Sequence, residues 1–327
     1  MEKNNISLQI VLLIVMFLAG SINVSFSADF TFDQPVNLVI PYGAGGSHDI
    51  HARFLSSVAP EYLDGQPLIV NLKPGGGGAV GSNYVKNAKP DGYTVLFTQP
   101  GAHVILPLLE NVGYTQDDFE AICNINEGPI IVAVREDSPF DSIEELVEWL
   151  KTTDREVIWG TTVIWGMTSL PALILHNSIG VGPFFNFILY DGVAEQIRAL
   201  LAGELDFAWQ ILSSTWQGLH EEGRIKILAI SSKDRDPRIP DIPTLTEAGY
   251  DIQLAMGRYI VVPKGTPNKV KIALTEAFYN ITQDPTFKAL INQSGEIINY
   301  LGPEELETIL ENDRTIYKKI IEEFYEE

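Results

Sequence analysis

The stretch "VIPYGAGGSHDIHARF", residues 39–54, joins the end of an apolar run to a glycine turn and then to the start of a helix. Val39 and Ile40 close the branched, strand-forming segment "PVNLVIP" (35–41). Three glycines within four residues (43, 45 and 46) let the backbone take positive φ and come close to a bound group. Ser47 stands at a helix start, where unpaired N–H groups and the helix dipole favour negative charge. Tyr42, Gly43, Ala44, Gly45, Gly46 and Ser47 therefore form a candidate anion site that needs no cationic side chain. Ser47 would either cap the helix or donate to the ligand. Asp49 would either complement the dipole or face the ligand.

Outward from this turn, strand-like and helix-like segments alternate. Runs at 66–72 and 93–98 follow, separated by a second glycine turn at 75–78 and a helix signal from Ala79. Further strands are expected at 129–134, 156–161, 183–190, 205–211, 225–230 and 251–263. Helices are expected near 143–152, opened by a capping box at Ser142 and Glu145, near 168–178, and at 193–202, stopped by Gly203. Three more are expected at about 268–282, 285–293 and 303–326, the last strongly acidic, which reads as a solvated face. The alternation predicts parallel sheets covered by helices, in two lobes with a cleft between them. Ligands of such sheets bind beyond the carboxyl ends of the strands, where the first turn lies.

The chain start carries Lys3, an apolar run from Ile10 to Leu18, and small residues ending at Ser25-Phe26-Ser27. This is the shape of an export signal covering residues 1–27. A membrane anchor is the alternative, but the run is shorter than a spanning helix needs. "LAGS" (18–21) would mark a lipoprotein only with cysteine at position 21. The net charge of −21 argues against nucleic acid and anionic membranes as partners. Salt screens that field over roughly 8 Å, so local donors can still hold an anion. Cys123 is the sole cysteine, which rules out an internal disulfide, and its apolar neighbours predict burial.

Signals for chemistry are thin. Glycines 76, 78 and 81 match G-x-G-x-x-G, a nucleotide fingerprint. The match follows the second strand, and Thr98-Gln99 stands where an acidic ribose ligand belongs. His48 and His51 are spaced to share a helix face as a metal pair, but no further ligands lie at a metal-binding spacing. No nucleophile elbow is present. The expectation is a binding protein without cofactor or metal. A nucleotide- or metal-dependent exported enzyme is the alternative, as is a ligand sensor without a transport role.

A set of segments now points to a family. "VIPYGAGGSHDIHAR" (39–53), "NLKPGGGGAVGSNYV" (71–85), "AKPDGYTVLF" (88–97), "YTQDDFEAI" (114–122), "YDGVAEQIRALLAGELDFA" (190–208), "IPDIPTLTEAG" (240–249) and "VVPKGTP" (261–267) stand in family order. The chain from about residue 33 resembles the solute-binding proteins of tripartite tricarboxylate transporters, the TctC or Bug family. The resemblance implies a two-lobed type II periplasmic binding protein fold, α/β in class. Lobe 1 would comprise 28–127 with 253–327 and lobe 2 would comprise 128–252, with crossings near 124–130 and 248–256. It further implies a periplasmic, monomeric, non-catalytic protein that captures a small carboxylate and passes it to integral membrane subunits.

By the same resemblance one carboxylate sits against residues 42–49, with Gly78 and Thr98 nearby. The second lobe departs from the family pattern. In "WGTTVIWGMTS" (159–169), two expected glycines are Val163 and Trp165, and an expected histidine is Ser169. After Tyr190, the usual lysine is Asp191, and an aspartate after the next strand is Gln210. Thr161, Thr162 and Thr168 remain as hydroxyl donors. Trp159, Trp165 and Trp209 fall near cleft-facing strand ends, with Trp209 expected to pack the core and Trp165 to touch ligand. The reading is one carboxylate in lobe 1 and an aromatic, apolar or hydroxylated body in lobe 2.

Overall fold

The computed structural model describes residues 30–162, 166–182 and 186–325. The export signal and Trp165 lie outside these residues. Strand β1 (Val36–Ile40) is almost wholly apolar, and Val36, Leu38, Val39 and Ile40 are fully buried. Helix α1 (Ser47–Val58) follows the glycine turn and buries Ala52 and Leu55 against β1. Strand β2 (Leu68–Leu72), helix α2 (Ala79–Lys86) and strand β3 (Thr94–Thr98) repeat the unit, and both β2 and β3 pair with β1 in parallel. A single π-helical turn (Gly101–Ile105) and a short helix, α3 (Leu106–Leu109), then lead to the longest strand.

That strand, β4 (Phe119–Arg135), runs for 17 residues without a break. The expected strand at 129–134 is only its second half. Ala121, Ile122 and Cys123 lie in its first half, and Cys123 is fully buried. Burial raises the thiol's pKa well above its usual range, so it stays protonated.

A second α/β set follows: α4 (Ile143–Thr152), β5 (Trp159–Thr161), α5 (Leu170–Ser178), β6 (Phe187–Leu189), α6 (Val193–Ala202), β7 (Phe207–Ile211), α7 (Ser214–Glu221) and β8 (Ile225–Ile230). The capping box before α4 forms as read, with the Glu145 amide donating to Ser142 Oγ at 3.2 Å. The chain returns through β9 (Ala255–Pro263), α8 (Asn268–Gln283), α9 (Pro285–Gln293), β10 (Ile297–Leu301) and α10 (Pro303–Tyr325). Sequence periodicity missed α3, a four-residue apolar turn, and α7 and β10, which are short and of mixed polarity.

The strand order is β2-β1-β3-β9-β4-β7-β5-β6, with β10 and β8 also pairing with β4. The expectation of parallel sheets holds only within the two α/β sets. Strand β9 is antiparallel to both β3 and β4, and β4 is antiparallel to β7 and β8. The first part of β4, up to Pro129, pairs with β9, and from Ile130 it pairs with β7. One strand thus serves both sheets. Helix α10 spans the same junction: Leu306 and Leu310 pack in a core shared with Tyr259, and the Tyr317 hydroxyl lies 3.2 Å from Met167 Sδ.

Trp159 corrects the reading of a cleft-facing residue. It is fully buried, stacked parallel to Phe207 at 6.5 Å and edge-on to His176 at 5.2 Å. Helix α5 covers this face of β5, with His176 packed on the indole ring, so the side chain lies in the core. Trp209 is 1% exposed, as expected of a core residue.

Candidate functional site

The turn leaves β1 at Pro41 and exposes residues 43–47. Gly45 takes φ +80°, a conformation that favours glycine. No heavy atom lies within 4 Å of where a Cβ would sit on Gly43 or Gly45, so both open onto free space. The amides of Gly43, Ala44, Gly46 and Ser47, and of His48 in the helix's first turn, find no acceptor among the described residues. Gly46 serves as N-cap, so Ser47 is the first helical residue and its hydroxyl does not cap. This settles one of the alternatives the sequence left open.

One amide of the turn is already taken. The Gly45 N–H donates to Asp49 Oδ2 at 2.9 Å, and Arg53 holds the other oxygen of that carboxylate at 2.9 Å. Asp49 is 4% exposed, and the Gly45 hydrogen bond, helped by Arg53, pulls its pKa below the usual carboxylate value. The carboxylate therefore stays ionised and fixes the shape of the turn. The other four amides of the exposed turn, those of Gly43, Ala44, Gly46 and Ser47, keep no acceptor among the described residues.

Aromatic side chains back the turn. The Tyr42 ring lies 4.5 Å from His48, which packs on Phe97, and the Tyr42 hydroxyl accepts from Gln99 Nε2 at 2.9 Å. Gln99 in turn accepts from the Gly101 amide, tying the end of β3 to the π-helical turn. Burial, reinforced by the Arg258 charge, keeps His48 neutral. Thr98 is fully buried beside these residues. Gly78 is buried, and a Cβ there would meet Ala102 at 2.6 Å; one on Gly81 would meet Pro41 at 2.8 Å. Gly81 thus lets α2 approach the end of β1 closely, and Gly78 lets the turn before α2 pack on Ala102 of the π-helical turn. That packing role explains Gly78 and Gly81 without a nucleotide.

A buried polar network under α1 escaped the sequence reading and corrects one of its premises. A cation does stand behind the turn. Arg258, 1% exposed on β9, donates through Nη2 to Ser47 Oγ at 3.1 Å and through Nη1 to Glu296 Oε2. Asn126 on β4 also donates to Glu296. Glu296 and His51 approach to 3.7 Å, but burial and Arg258 lower the His51 pKa to about 3. His51 is therefore neutral at physiological pH, and the contact is not an ion pair. Arg258 and Glu296 form the true pair, and breaking one side of such a pair costs about 3–5 kcal/mol. A lone arginine in the apolar run "AMGRYIVVP" was the available signal, since a buried charge needs a partner. His48 and His51 do not converge on one point, and no group of three or more potential metal ligands forms among the described residues.

The second cluster sits on the other sheet. The Thr161 and Thr168 hydroxyls are 3.1 Å apart and buried. Gln210, 3% exposed, donates to Thr162 Oγ1 at 3.3 Å and to Gln196 Oε1 at 2.9 Å, while its own Oε1 accepts the Ile211 amide. Gln196 reaches the carbonyls of Gly160 and Trp209. These contacts turn the Gln210 amide group inward and cross-brace β5 and β7. Tyr190 donates its amide to the Thr161 carbonyl, and Asp191 is exposed. The predicted residues thus gather in two groups, one per sheet, with no hydrogen bond joining them among the described residues.

Comparison with known proteins agrees with this architecture. A family model described as "Tripartite tricarboxylate transporter family receptor" matches residues 52–325. A UPF0065 protein from Bordetella pertussis is 30% identical over 284 residues, which is 86% of each chain. The fold is similar to a TctC solute binding protein from Polaromonas, with TM-score 0.81 and 28% identity over 89% of this chain and 99% of that one. It is also similar to the periplasmic binding protein BugD, with TM-score 0.70 and 29% identity over 89% and 97%. Two Rhodopseudomonas palustris structures share the fold. MatC with bound malate has TM-score 0.71 and 22% identity over 88% and 99%, and a protein with adipate has TM-score 0.73 and 24% identity over 89% and 97%. By sequence and by fold, a two-lobed solute-binding architecture built on β4 and β9, the chain belongs to the tripartite tricarboxylate transporter receptor family.

Proposed function

We propose that the protein is a periplasmic, monomeric receptor that captures a small carboxylate and delivers it to integral membrane transporter subunits. The observation that carries this reading is the exposed turn at 43–47, in which the amides of Gly43, Ala44, Gly46 and Ser47 have no acceptor among the described residues. Relatives that hold malate and adipate support the ligand class. No described helix is long and apolar enough to cross a membrane, and residues 1–27 would act as a cleaved export signal.

We assign 28–127 with 253–327 to lobe 1 and 128–252 to lobe 2, because β4 changes partners between Pro129 and Ile130. The ligand's carboxylate binds the turn at Tyr42 to Ser47, and the body faces Thr162 and Tyr190, backed by the buried Thr161 and Thr168 pair. Asp191 disfavours a second carboxylate and favours a hydroxyl or amine there. Only interactions that form when the lobes close favour the closed form. The test is calorimetry of the mature chain against malate, adipate, and aromatic and hydroxy acids. Saturable binding that Gly43→Ala weakens supports the reading. Binding of none of these acids, or binding indifferent to that substitution, sinks it.

A further inference from the structure

The bond between Arg258 and Ser47 has a directional consequence. A serine hydroxyl has one proton and two lone pairs. Where a guanidinium donates to the oxygen, the hydroxyl proton must point elsewhere. Ser47 caps nothing, is exposed, and makes no other hydrogen bond among the described residues. Its proton is therefore not spent on Arg258 and is free for an acceptor outside the protein.

Arg258 is rigidly placed to do this. It is 1% exposed, and Glu296, itself held by Asn126, fixes the far side of the guanidinium. A lysine would offer a point charge without the planar fork that spans Ser47 and Glu296 together. The pair is neutral overall, so it orients the hydroxyl without adding net positive charge to the turn.

We propose that Arg258 is a positioning residue: by donating to Ser47 Oγ it keeps the hydroxyl proton available for an acceptor atom of the ligand. This rests on the reading of the turn as the carboxylate site and deepens it: the Ser47 hydroxyl adds one donor, held ready by Arg258, to the amides that face the carboxylate. Arg258 acts through Ser47 and touches no ligand itself.

The experiment compares wild type, Ser47→Ala, the paired change Arg258→Met with Glu296→Met, and the triple variant. The paired change removes both charges, so no lone ion is left buried. Each is measured by calorimetry for affinity toward benzoate, a monocarboxylate, beside adipate and malate, and soaked with bromide, an acceptor-only anion, for anomalous diffraction. The expected result is about tenfold weaker carboxylate binding in Ser47→Ala and in the paired variant, with no further loss in the triple variant. The bromide peak beside Ser47 Oγ in wild type should vanish in the paired variant. Losses that multiply in the triple variant, or an unchanged peak in the paired variant, overturn the role of Arg258. Bromide at the turn without any carboxylate binding refutes the proposed cargo and leaves Arg258 standing. No anion of either kind at the turn refutes both.

Discussion

Replacing Asp313 with asparagine should change how stability depends on pH. Asp313 lies on α10 beside a cavity of about 220 Å³ that is also lined by Glu127, Lys233, Asn124 and Tyr259. Burial raises its pKa from 3.8 to about 7, and a hydrogen bond from Tyr317 only partly opposes this. In the unfolded chain the carboxyl ionises near its ordinary value. Between these two values the folded state holds the extra proton, so stability is lost as pH rises. The gap is about three decades in proton affinity, and each decade is worth about 1.36 kcal/mol, giving an upper limit of ~4 kcal/mol. Asparagine never ionises and avoids that cost. The assay is urea unfolding of wild type and Asp313→Asn at pH 4 to 8. The difference in unfolding free energy should grow in favour of the variant from pH 4, then level off above about pH 7. Taking the difference removes the histidines, which titrate with the opposite sign. A difference that stays flat across this range would refute the burial argument for Asp313.

The remaining predictions concern the histidines and the glycines. Burial lowers the pKa of His51 to about 3 and of His103 to about 4, so the unfolded chain takes up protons first as pH drops below 6.5. Stability from these two should be intact above pH 6.5 and decline below it, and His51→Gln with His103→Gln should flatten the acid limb of the unfolding profile. Gly43→Ala should leave the unfolding free energy within about 0.5 kcal/mol, because open space surrounds it and its φ is ordinary. Gly45→Ala should cost about 1 kcal/mol for its positive φ; denaturant melts distinguish the two. Gly81→Ala should cost roughly 1–3 kcal/mol, because its methyl would sit 2.8 Å from Pro41 and 3.0 Å from the Lys73 carbonyl.

Much of the fold was legible because period and punctuation agreed. The runs ending at Ile40, Leu72 and Thr98 each became a strand, and the helix after Gly46 began where the glycine turn ended. The direction of β4 and β9 was not legible, because an apolar run has the same pattern whichever way it pairs. Within the site, local signals sufficed for the turn, since glycine spacing and helix start are adjacent in sequence. The Arg258–Glu296 pair joins residues 38 apart, and its link to Ser47 spans 211 positions, so only the folded chain brings them together. Gln210 shows the same limit: its position looked ligand-facing, but Gln196, 14 residues away, captures its side chain.

The shared strand also bears on how the molecule comes apart. Extracting β4 would strip hydrogen-bonding partners from β9 and β10 at one end and from β7 and β8 at the other. Neither sheet can shed it and stay whole. Melting should therefore be one event for the entire chain, with calorimetric and van't Hoff enthalpies in agreement.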